Sequence, residues 1–235
     1  MNKVSVIVPT CKDRRGKMEN CLVSIAMSNY PNIEIITVDE GLERSTQRNH
    51  GMKDAKGDYI LYLDDDQYIS DKLIWECVNL MQNYDALYIP EVIVTNNWFG
   101  RLRNWERRFY TETCVDCIRF FKKKELYFDE TMSGPEDADF DHRYAGRRTV
   151  TKNCLYHDDD IGFIEYMKKK IYYTRSMETY KKRWPDDKVL DWKYRCCGIF
   201  IEKGKWRWLL EKPHYTVLLG ALIFVRGLAY LCRKR

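Results

Sequence analysis

Three consecutive aspartates, Asp64-Asp65-Asp66, follow directly after the apolar segment Tyr59-Ile60-Leu61-Tyr62-Leu63. Adjacent carboxylates repel one another unless a cation compensates their charge. Hard divalent cations such as Mg²⁺ and Mn²⁺ take oxygen ligands and often share them with phosphates. The pattern therefore predicts a site where one or two of these carboxylates bind a metal that also contacts a diphosphate.

A second acidic pair, Glu136-Asp137, follows Gly134-Pro135. A carboxylate beside another carboxylate can have a raised pKa, which suits a general base that takes a proton from a hydroxyl. Proline and acidic residues are also favoured in the first turn of a helix. We therefore expect the pair at a helix start, where the roles of cap and base are compatible.

Apolar runs alternate with amphipathic segments through the first hundred residues. The runs predict buried strands over residues 4–8, 33–38, 59–63 and 86–94. The segments between them predict helices over residues 16–28, 45–55 and 70–83, with Ser45 and Ser70 as N-caps. This alternation predicts an α/β fold with a largely parallel sheet. Ligands bind beyond the carboxyl ends of such strands, which is where Asp39 and the three aspartates lie.

Four ordered segments within residues 3–160 resemble the motifs of family 2 glycosyltransferases with the GT-A fold. They are residues 4–10, residues 32–41, Arg48-Asn49-His50-Gly51 with residues 55–66, and residues 128–130 with 134–140 and Arg143. The resemblance implies a Rossmann-like, mixed and mostly parallel sheet flanked by helices. It also implies an enzyme that moves a hexose from a GDP- or UDP-linked sugar with the help of Mn²⁺ or Mg²⁺.

The resemblance implies a role for each matching residue. Pro9, Thr10 and Asp39 would line the nucleoside pocket, and Arg48 would lie near the nucleotide. Asp64 and Asp66 would form the ends of a DxD motif, with Asp66 on the metal and Asp64 facing the ribose or the metal. Asp65 is grouped with the nucleotide-binding residues, although a purely solvated role is equally open.

Further roles concern the base and a histidine. Asp137, with Glu136 beside it, would be the catalytic base. His157 would reach the metal or the diphosphate, or else be a surface histidine beside Asp158-Asp159-Asp160. One departure from the family pattern leaves the nucleobase open, because Asp39-Glu40-Gly41-Leu42 stands where Asp-Asp-Gly-Ser is usual.

The expected reaction is a single displacement with inversion, in which Asp137 deprotonates an acceptor hydroxyl. The aromatic and basic segment from Trp98 to Tyr110, together with an apolar C-terminus, favours a membrane glycolipid or lipid-linked acceptor. A soluble or polysaccharide acceptor is the first alternative. A nucleotidyltransferase is weaker, because the loop of residues 9–16 contains Gly16 alone as a glycine. A non-catalytic binding protein for anionic surfaces is the alternative of another class.

The C-terminal stretch of residues 215–232 is apolar except for Thr216 and Arg226. We expect a catalytic domain over residues 1–212 and a membrane-associated helix over residues 213–235. A helix of 18 residues would be roughly 27 Å long, near the minimum that spans a bilayer. Because a buried arginine is costly there, a helix lying flat fits better than a span. The alternative is a soluble helix packed on the domain or on a partner.

The composition limits the class of protein. A chain of 235 residues that is 45% hydrophobic can bury a sizeable core, which excludes a disordered protein. Its net charge of +5 includes basic clusters that would attract phosphate or an anionic membrane, or would simply be solvated. We expect no nucleic acid partner, and a homo-oligomer is compatible with the sequence. Lys3 is followed at once by a strand and not by a secretory signal, which predicts the cytoplasmic face of a membrane.

Overall fold

A computed structural model describes residues 1–11 and 15–233 of the chain. Lys12 to Arg14 and the terminal Lys234 and Arg235 lie outside the described residues. The strands are β1 (Val4–Pro9), β2 (Ile33–Val38), β3 (Tyr59–Tyr62), β4 (Gln67–Ile69), β5 (Ala86–Tyr88), β6 (Glu91–Val94), β7 (Phe120–Lys122), β8 (Arg148–Val150) and β9 (Leu155–Asp158). The α-helices are α1 (Arg15–Ala26), α2 (Arg44–Asp54), α3 (Leu73–Leu80), α4 (Trp98–Arg107), α5 (Glu136–Arg143), α6 (Phe163–Tyr173), α7 (Met177–Arg183), α8 (Ile199–Ile201), α9 (Trp206–Glu211) and α10 (Pro213–Arg233).

The larger sheet has the strand order β2-β1-β3-β7-β5-β8. β1 pairs in parallel with both β2 and β3, and β5 pairs in parallel with β8. β7 runs antiparallel to β3 and β5, so it is the reversed strand of the sheet. The predicted mixed, mostly parallel α/β sheet is confirmed.

Helices cover both faces of this sheet, which explains why its central strands are mostly apolar. Val4, Val6 and Val8 of β1 pack on one face in a core that also includes residues of α1 and α3. Ile7 and Ile60 face the other side, in a core that includes residues of α2 and α5. Because side chains alternate along a strand, every residue of β1 is buried and its carboxyl end is held rigidly.

A smaller sheet has the order β4-β9-β6, and its existence corrects the sequence prediction. Residues 86–94 were expected to form one strand, but Pro90 divides them into β5 and β6, which belong to different sheets. Proline has no N–H to donate to a ladder, so the strand stops there. β4 was not predicted, and it begins at Gln67, directly after the acidic run.

Two predicted helix caps are wrong. α2 begins at Arg44 with Glu43 as its N-cap, so Ser45 lies inside the helix and is buried. α3 begins at Leu73 with Lys72 as its N-cap. Ser70 contributes only its backbone carbonyl, which accepts from Leu73 N at 3.2 Å. In both cases a serine near the helix start gave the correct region and the wrong residue.

The C-terminal helix α10 packs on the rest of the protein. Its Leu219 and Leu222 are buried in a core shared with Phe99 and Leu102 of α4. Arg226 donates from Nη1 to Glu106 Oε1 at 2.6 Å and from Nη2 to Oε2 at 2.9 Å. Within residues 1–11 and 15–233, no helix combines the length and the apolar character that crossing a membrane requires.

Candidate active site

The carboxyl ends of β1, β2 and β3 meet at one edge of the larger sheet. Pro9 ends β1, Asp39 follows β2 and is exposed, and Asp64 follows Leu63 after β3. Thr10 Oγ1 donates to Asp65 Oδ2 at 3.0 Å, which joins the ends of β1 and β3. Asp65 is only 2% exposed, so the expectation that it might merely be solvated is wrong.

Arg48 of α2 joins the two acidic motifs. Its guanidinium donates from Nη2 to Asp64 Oδ1 at 3.1 Å and from Nη1 to Asp137 Oδ1 at 2.7 Å. The side chain is 1% exposed and its guanidinium carbon lies 4.4 Å from the centroid of the Tyr62 ring. A planar guanidinium with five donors suits such a bridge, because it can bind two carboxylates in fixed geometry.

Arg44, one turn before Arg48, is more exposed and approaches Asp64 and Glu136. Its Nη1 lies 3.5 Å from Asp64 Oδ2, and its Nη2 lies 3.6 Å from Glu136 Oε1 and donates to the Tyr173 hydroxyl at 3.0 Å. Burial alone would raise the pKa of Asp64, but the two guanidiniums outweigh it and hold that pKa well below its usual range. Asp64 is therefore ionised throughout the physiological pH range.

The acidic pair at the start of α5 divides into a buried and an accessible carboxylate. The Glu136 side chain is 3% exposed and accepts a hydrogen bond from the backbone N–H of Gly134. Burial, and then the charge of Asp137, raise the pKa of Glu136. The Asp137 side chain is 27% exposed. Glu136 therefore has the geometry of a structural carboxylate, and Asp137 is the more accessible of the two.

His157 lies in the smaller sheet, where β9 places it opposite Gln67 of β4. Its Nε2 is 3.2 Å from Asp66 Oδ1, and its Nδ1 is 2.9 Å from Glu91 Oε1. Burial on its own would lower the pKa of the imidazole, but hydrogen bonds to Asp66 and Glu91 raise it to about 10. With its side chain 14% exposed, His157 is part of the site and not a surface histidine.

Helix α2 also holds the segments on either side of the cleft. Gln47 Nε2 donates to Thr10 O at 2.8 Å, at the end of β1. Asn49 Nδ2 donates to Phe128 O at 2.9 Å and to Glu130 Oε1 at 2.8 Å, in the segment that leads to α5. Three successive side chains of one helix thus fix three separate parts of the site.

The model of the family described as "Glycosyl transferase family 2" matches residues 40–151, which include the acidic run and the Glu136-Asp137 pair. Residues 40–151 of this chain form a glycosyltransferase family 2 region. A search of curated proteins gave no significant match to the chain.

Solved structures share the fold of this glycosyltransferase. S. aureus TarS matches with a TM-score of 0.55 at 15% identity, over 80% of this chain and 44% of TarS. Residues 1–349 of TarS in complex with UDP-GlcNAc match with a TM-score of 0.52 at 14% identity, over 99% of this chain and 87% of that one. Mannosyltransferase PcManGT from Pyrobaculum calidifontis, in complex with GDP-Man and Mn²⁺, matches with a TM-score of 0.57 at 17% identity. This match covers 97% of this chain and 75% of PcManGT. The chain thus spans less than half the length of full TarS, and these likenesses establish the GT-A fold.

The site also contains residue types that ligate metals. Within the part of the chain that the structure describes, no group of three or more His, Cys, Asp or Glu side chains is arranged around one point. Asp66 and His157 nevertheless stand side by side at the end of the acidic run. Mg²⁺-like ions are commonly held by one or two carboxylates together with substrate phosphates, and not by a complete protein cage. The donor set fits a metal of that kind.

Two residues of the site were not found from the sequence. Arg44 precedes Arg48 by four positions, and this helical spacing was a usable signal that both reach the same side. Glu91 accepts from Arg107 Nη2 at 2.6 Å as well as contacting His157. A glutamate inside a predicted apolar strand was the only sequence signal for it, since its partners are far away in the chain.

Proposed function

We propose that this glycosyltransferase moves a hexose from a GDP- or UDP-linked sugar to a hydroxyl of a membrane glycolipid or lipid-linked acceptor, with inversion at the anomeric carbon. The observation that carries the proposal is the Arg48 bridge between Asp64 and Asp137. Through this bridge, one planar guanidinium holds both Asp64, which suits the donor, and Asp137, which suits the acceptor.

On the donor side, Thr10 and Asp39 stand where strand ends form a nucleotide pocket in α/β folds. The neighbours bound to UDP-GlcNAc and GDP-Man support a nucleotide-sugar donor. Asp66 and His157 would hold Mn²⁺ or Mg²⁺. When bound, such an ion compensates the charge of a leaving diphosphate.

On the acceptor side, Asp137 takes the proton of the attacking hydroxyl. Arg48 keeps this carboxylate oriented, and its remaining oxygen is free of that hydrogen bond. A general base of this kind contributes about 10²–10⁴-fold to a rate. An acceptor that is already an anion would not need it, so the accessible Asp137 favours a hydroxyl acceptor.

The acceptor class rests on Trp98 of α4 and on the exposed apolar residues of α10, among them Val217 and Phe224, which together favour a lipid-bound substrate on the cytoplasmic face of a membrane. The other aromatic residues of the predicted membrane segment, Phe99, Trp105 and Phe109, are buried in the core and do not contribute to it. A soluble or polysaccharide acceptor is the second candidate, favoured by the packing of α10 on α4. A non-catalytic role on anionic surfaces is disfavoured, because binding to such a surface does not require Asp64 and Asp137 to be fixed relative to each other by Arg48.

The first experiment is a thermal-shift titration with UDP and GDP, each with and without Mn²⁺. A nucleotide present at 100 times its dissociation constant should stabilise the fold by about 2.7 kcal/mol. The stabilisation should require Mn²⁺ and should be lost in Asp66→Asn. If neither nucleotide shifts the melting temperature under any of these conditions, the donor assignment is wrong.

The acceptor is tested separately with the labelled sugar nucleotide that binds. Label should enter a detergent extract of membrane lipids and should stay out of soluble glycans. Transfer to soluble glycans alone would replace the lipid acceptor by the second candidate.

A further inference from the structure

Charge is unevenly distributed along the chain. Residues 191–235 contain ten lysines and arginines against three acidic residues, whereas the rest of the chain contains 30 against 32, from chain totals of 40 and 35. The C-terminal fifth therefore carries more than the whole net positive charge of the protein. A segregated basic segment is an electrostatic signal for an anionic partner.

The same segment exposes large apolar side chains. Trp192 is 69% exposed, Ile201 53%, Trp206 48% and Leu210 70%. Trp206 and Leu210 are four residues apart on α9 and so share a face of that helix. Several exposed hydrophobic residues of this size in one short segment indicate an interaction surface and not an ordinary solvated one.

Cations lie next to these aromatic rings. The Arg207 guanidinium is 5.7 Å from the centroid of Trp206, and the Lys193 ammonium is 6.0 Å from that of Trp192. Tryptophan beside lysine or arginine is typical of segments that lie at a membrane–water interface, where the ring enters the headgroup region and the cation meets lipid phosphates.

A basic cleft opens beside α9, with a volume of about 470 Å³. Its cationic lining residues are Arg108, Lys203, Lys205 and Arg207. Lys205 is 7% exposed and donates to Phe109 O at 2.7 Å, so the fold fixes its ammonium in the wall. Glu112 also lines the cleft and pairs with Lys203 at 2.7 Å, so four cations stand against one carboxylate. The cleft shares no lining residue with the candidate active site, and its net positive charge suits a phosphate group.

Helix α10 adds an apolar outward stripe. Val217 is 73% exposed, Phe224 66% and Leu228 45%, and their spacing puts them on one side of the helix. The opposite side carries Leu219 and Arg226, which contact α4. The helix therefore has one face fixed to the domain and one apolar face directed outwards.

We propose that Trp192, Ile201, Trp206, Leu210 and the adjacent Lys203 and Arg207 form a docking surface for an anionic phospholipid membrane, with a lipid phosphate in the basic cleft. The chemistry of the partner follows from the combination of cations, interfacial tryptophans and exposed apolar side chains. This inference deepens the proposed function, because it gives the enzyme a way to meet a lipid-bound acceptor.

The test is flotation of the full-length protein with vesicles of phosphatidylcholine, alone or mixed with phosphatidylglycerol. We expect binding to the mixed vesicles, weaker binding to the neutral ones, and loss of the difference at high salt. Lys203→Gln/Arg207→Gln should weaken binding to mixed vesicles by roughly 30-fold at low salt. Trp206→Ser/Leu210→Ser should weaken binding to both vesicle types by on the order of tenfold.

Two control variants remove the same number of charged or apolar side chains from parts of the surface outside the proposed docking surface. Lys181→Gln/Lys182→Gln removes two exposed charges from α7, and Val23→Ser/Met27→Ser removes two exposed apolar side chains at α1 and its end. Both control variants should bind like the unaltered protein. Equal weakening in the controls, or self-association through this surface without vesicle binding, would overturn the proposal. Vesicle binding needs neither donor nor metal, so its failure is distinguishable from failure of the transfer reaction.

Discussion

The Arg48 guanidinium donates to Asp137 Oδ1 at 2.7 Å from a side chain that is 1% exposed. The same group holds Asp64, so its removal leaves two carboxylates without their shared cation. Because the loss of one partner of a buried ion pair leaves an uncompensated charge, Arg48→Met should lower the free energy of unfolding by about 3 kcal/mol. Transfer activity should be abolished with it.

Arg44→Met is the control, since Arg44 reaches Asp64 from the same helix with a side chain that is 38% exposed. Solvent screens that pair, so we expect a loss of about 1 kcal/mol or less. Urea unfolding of both variants measures the difference. Equal losses would contradict the distinction between a buried bridge and a screened contact.

Asp137→Asn should lower kcat by about 10²–10⁴-fold and leave the KM for the donor nearly unchanged, because the base acts in the transition state and not in donor binding. Glu136→Gln is expected to act mainly on stability, since its carboxylate is buried against Gly134 N. Steady-state kinetics with both variants checks the assignment. A larger loss of kcat in Glu136→Gln would reverse the two roles.

Glu91 is expected to orient His157 toward Asp66. Residues that hold a metal-ligating histidine typically change metal affinity by about 10–100-fold when mutated. Glu91→Gln should therefore weaken Mn²⁺ binding in the presence of the nucleotide by that factor, as measured by electron paramagnetic resonance titration.

The control for Glu91 is Glu76→Gln. Glu76 accepts from Lys152 N and Asn153 N, so it supports the approach to β9 without touching His157. This variant should keep its Mn²⁺ affinity. If the two variants lose affinity equally, the effect comes from the loss of negative charge and not from the orientation of the imidazole.

Gly134 has a φ of +109°, and a Cβ built there would lie 2.6 Å from Tyr173 Cβ. Gly134→Ala should therefore destabilise the protein by at least about 2 kcal/mol, from backbone strain and overlap together. Gly162→Ala is the matched change, because nothing lies within 4 Å of its Cβ position. Thermal unfolding should separate the two, and similar melting temperatures would contradict the close approach of Tyr173.

The sequence alone predicts the strands that position the site, but it does not predict the contacts between side chains inside the site. β1, β2 and β3 are rich in β-branched and other apolar residues, so the positions of Asp39 and Asp64 at one sheet edge could be predicted. β4 has three residues and depends on pairing with β9, which no local pattern shows. The break at Pro90 was readable in principle, but the flanking apolar residues concealed it.

The sequence could not predict which polar side chains are buried. Asp65 and Glu91 look like ordinary acidic residues in the chain, and only distant partners make them internal. Thr10 is 55 positions from Asp65, and His157 is 66 positions from Glu91. Such contacts follow from the packing of two sheets, which is a property of the assembled fold.

One turn of α2 carries three side chains that bind separate segments. Gln47 binds the end of β1, Arg48 binds the two acidic motifs, and Asn49 binds the segment at Phe128. A local opening of this turn would release all three segments at once, so their amide hydrogens should exchange with solvent as a single cooperative unit. Ordering of the donor pocket by a bound nucleotide would then slow exchange at the acceptor side as well. We therefore expect helix α2 to couple local unfolding on the two sides of the cleft.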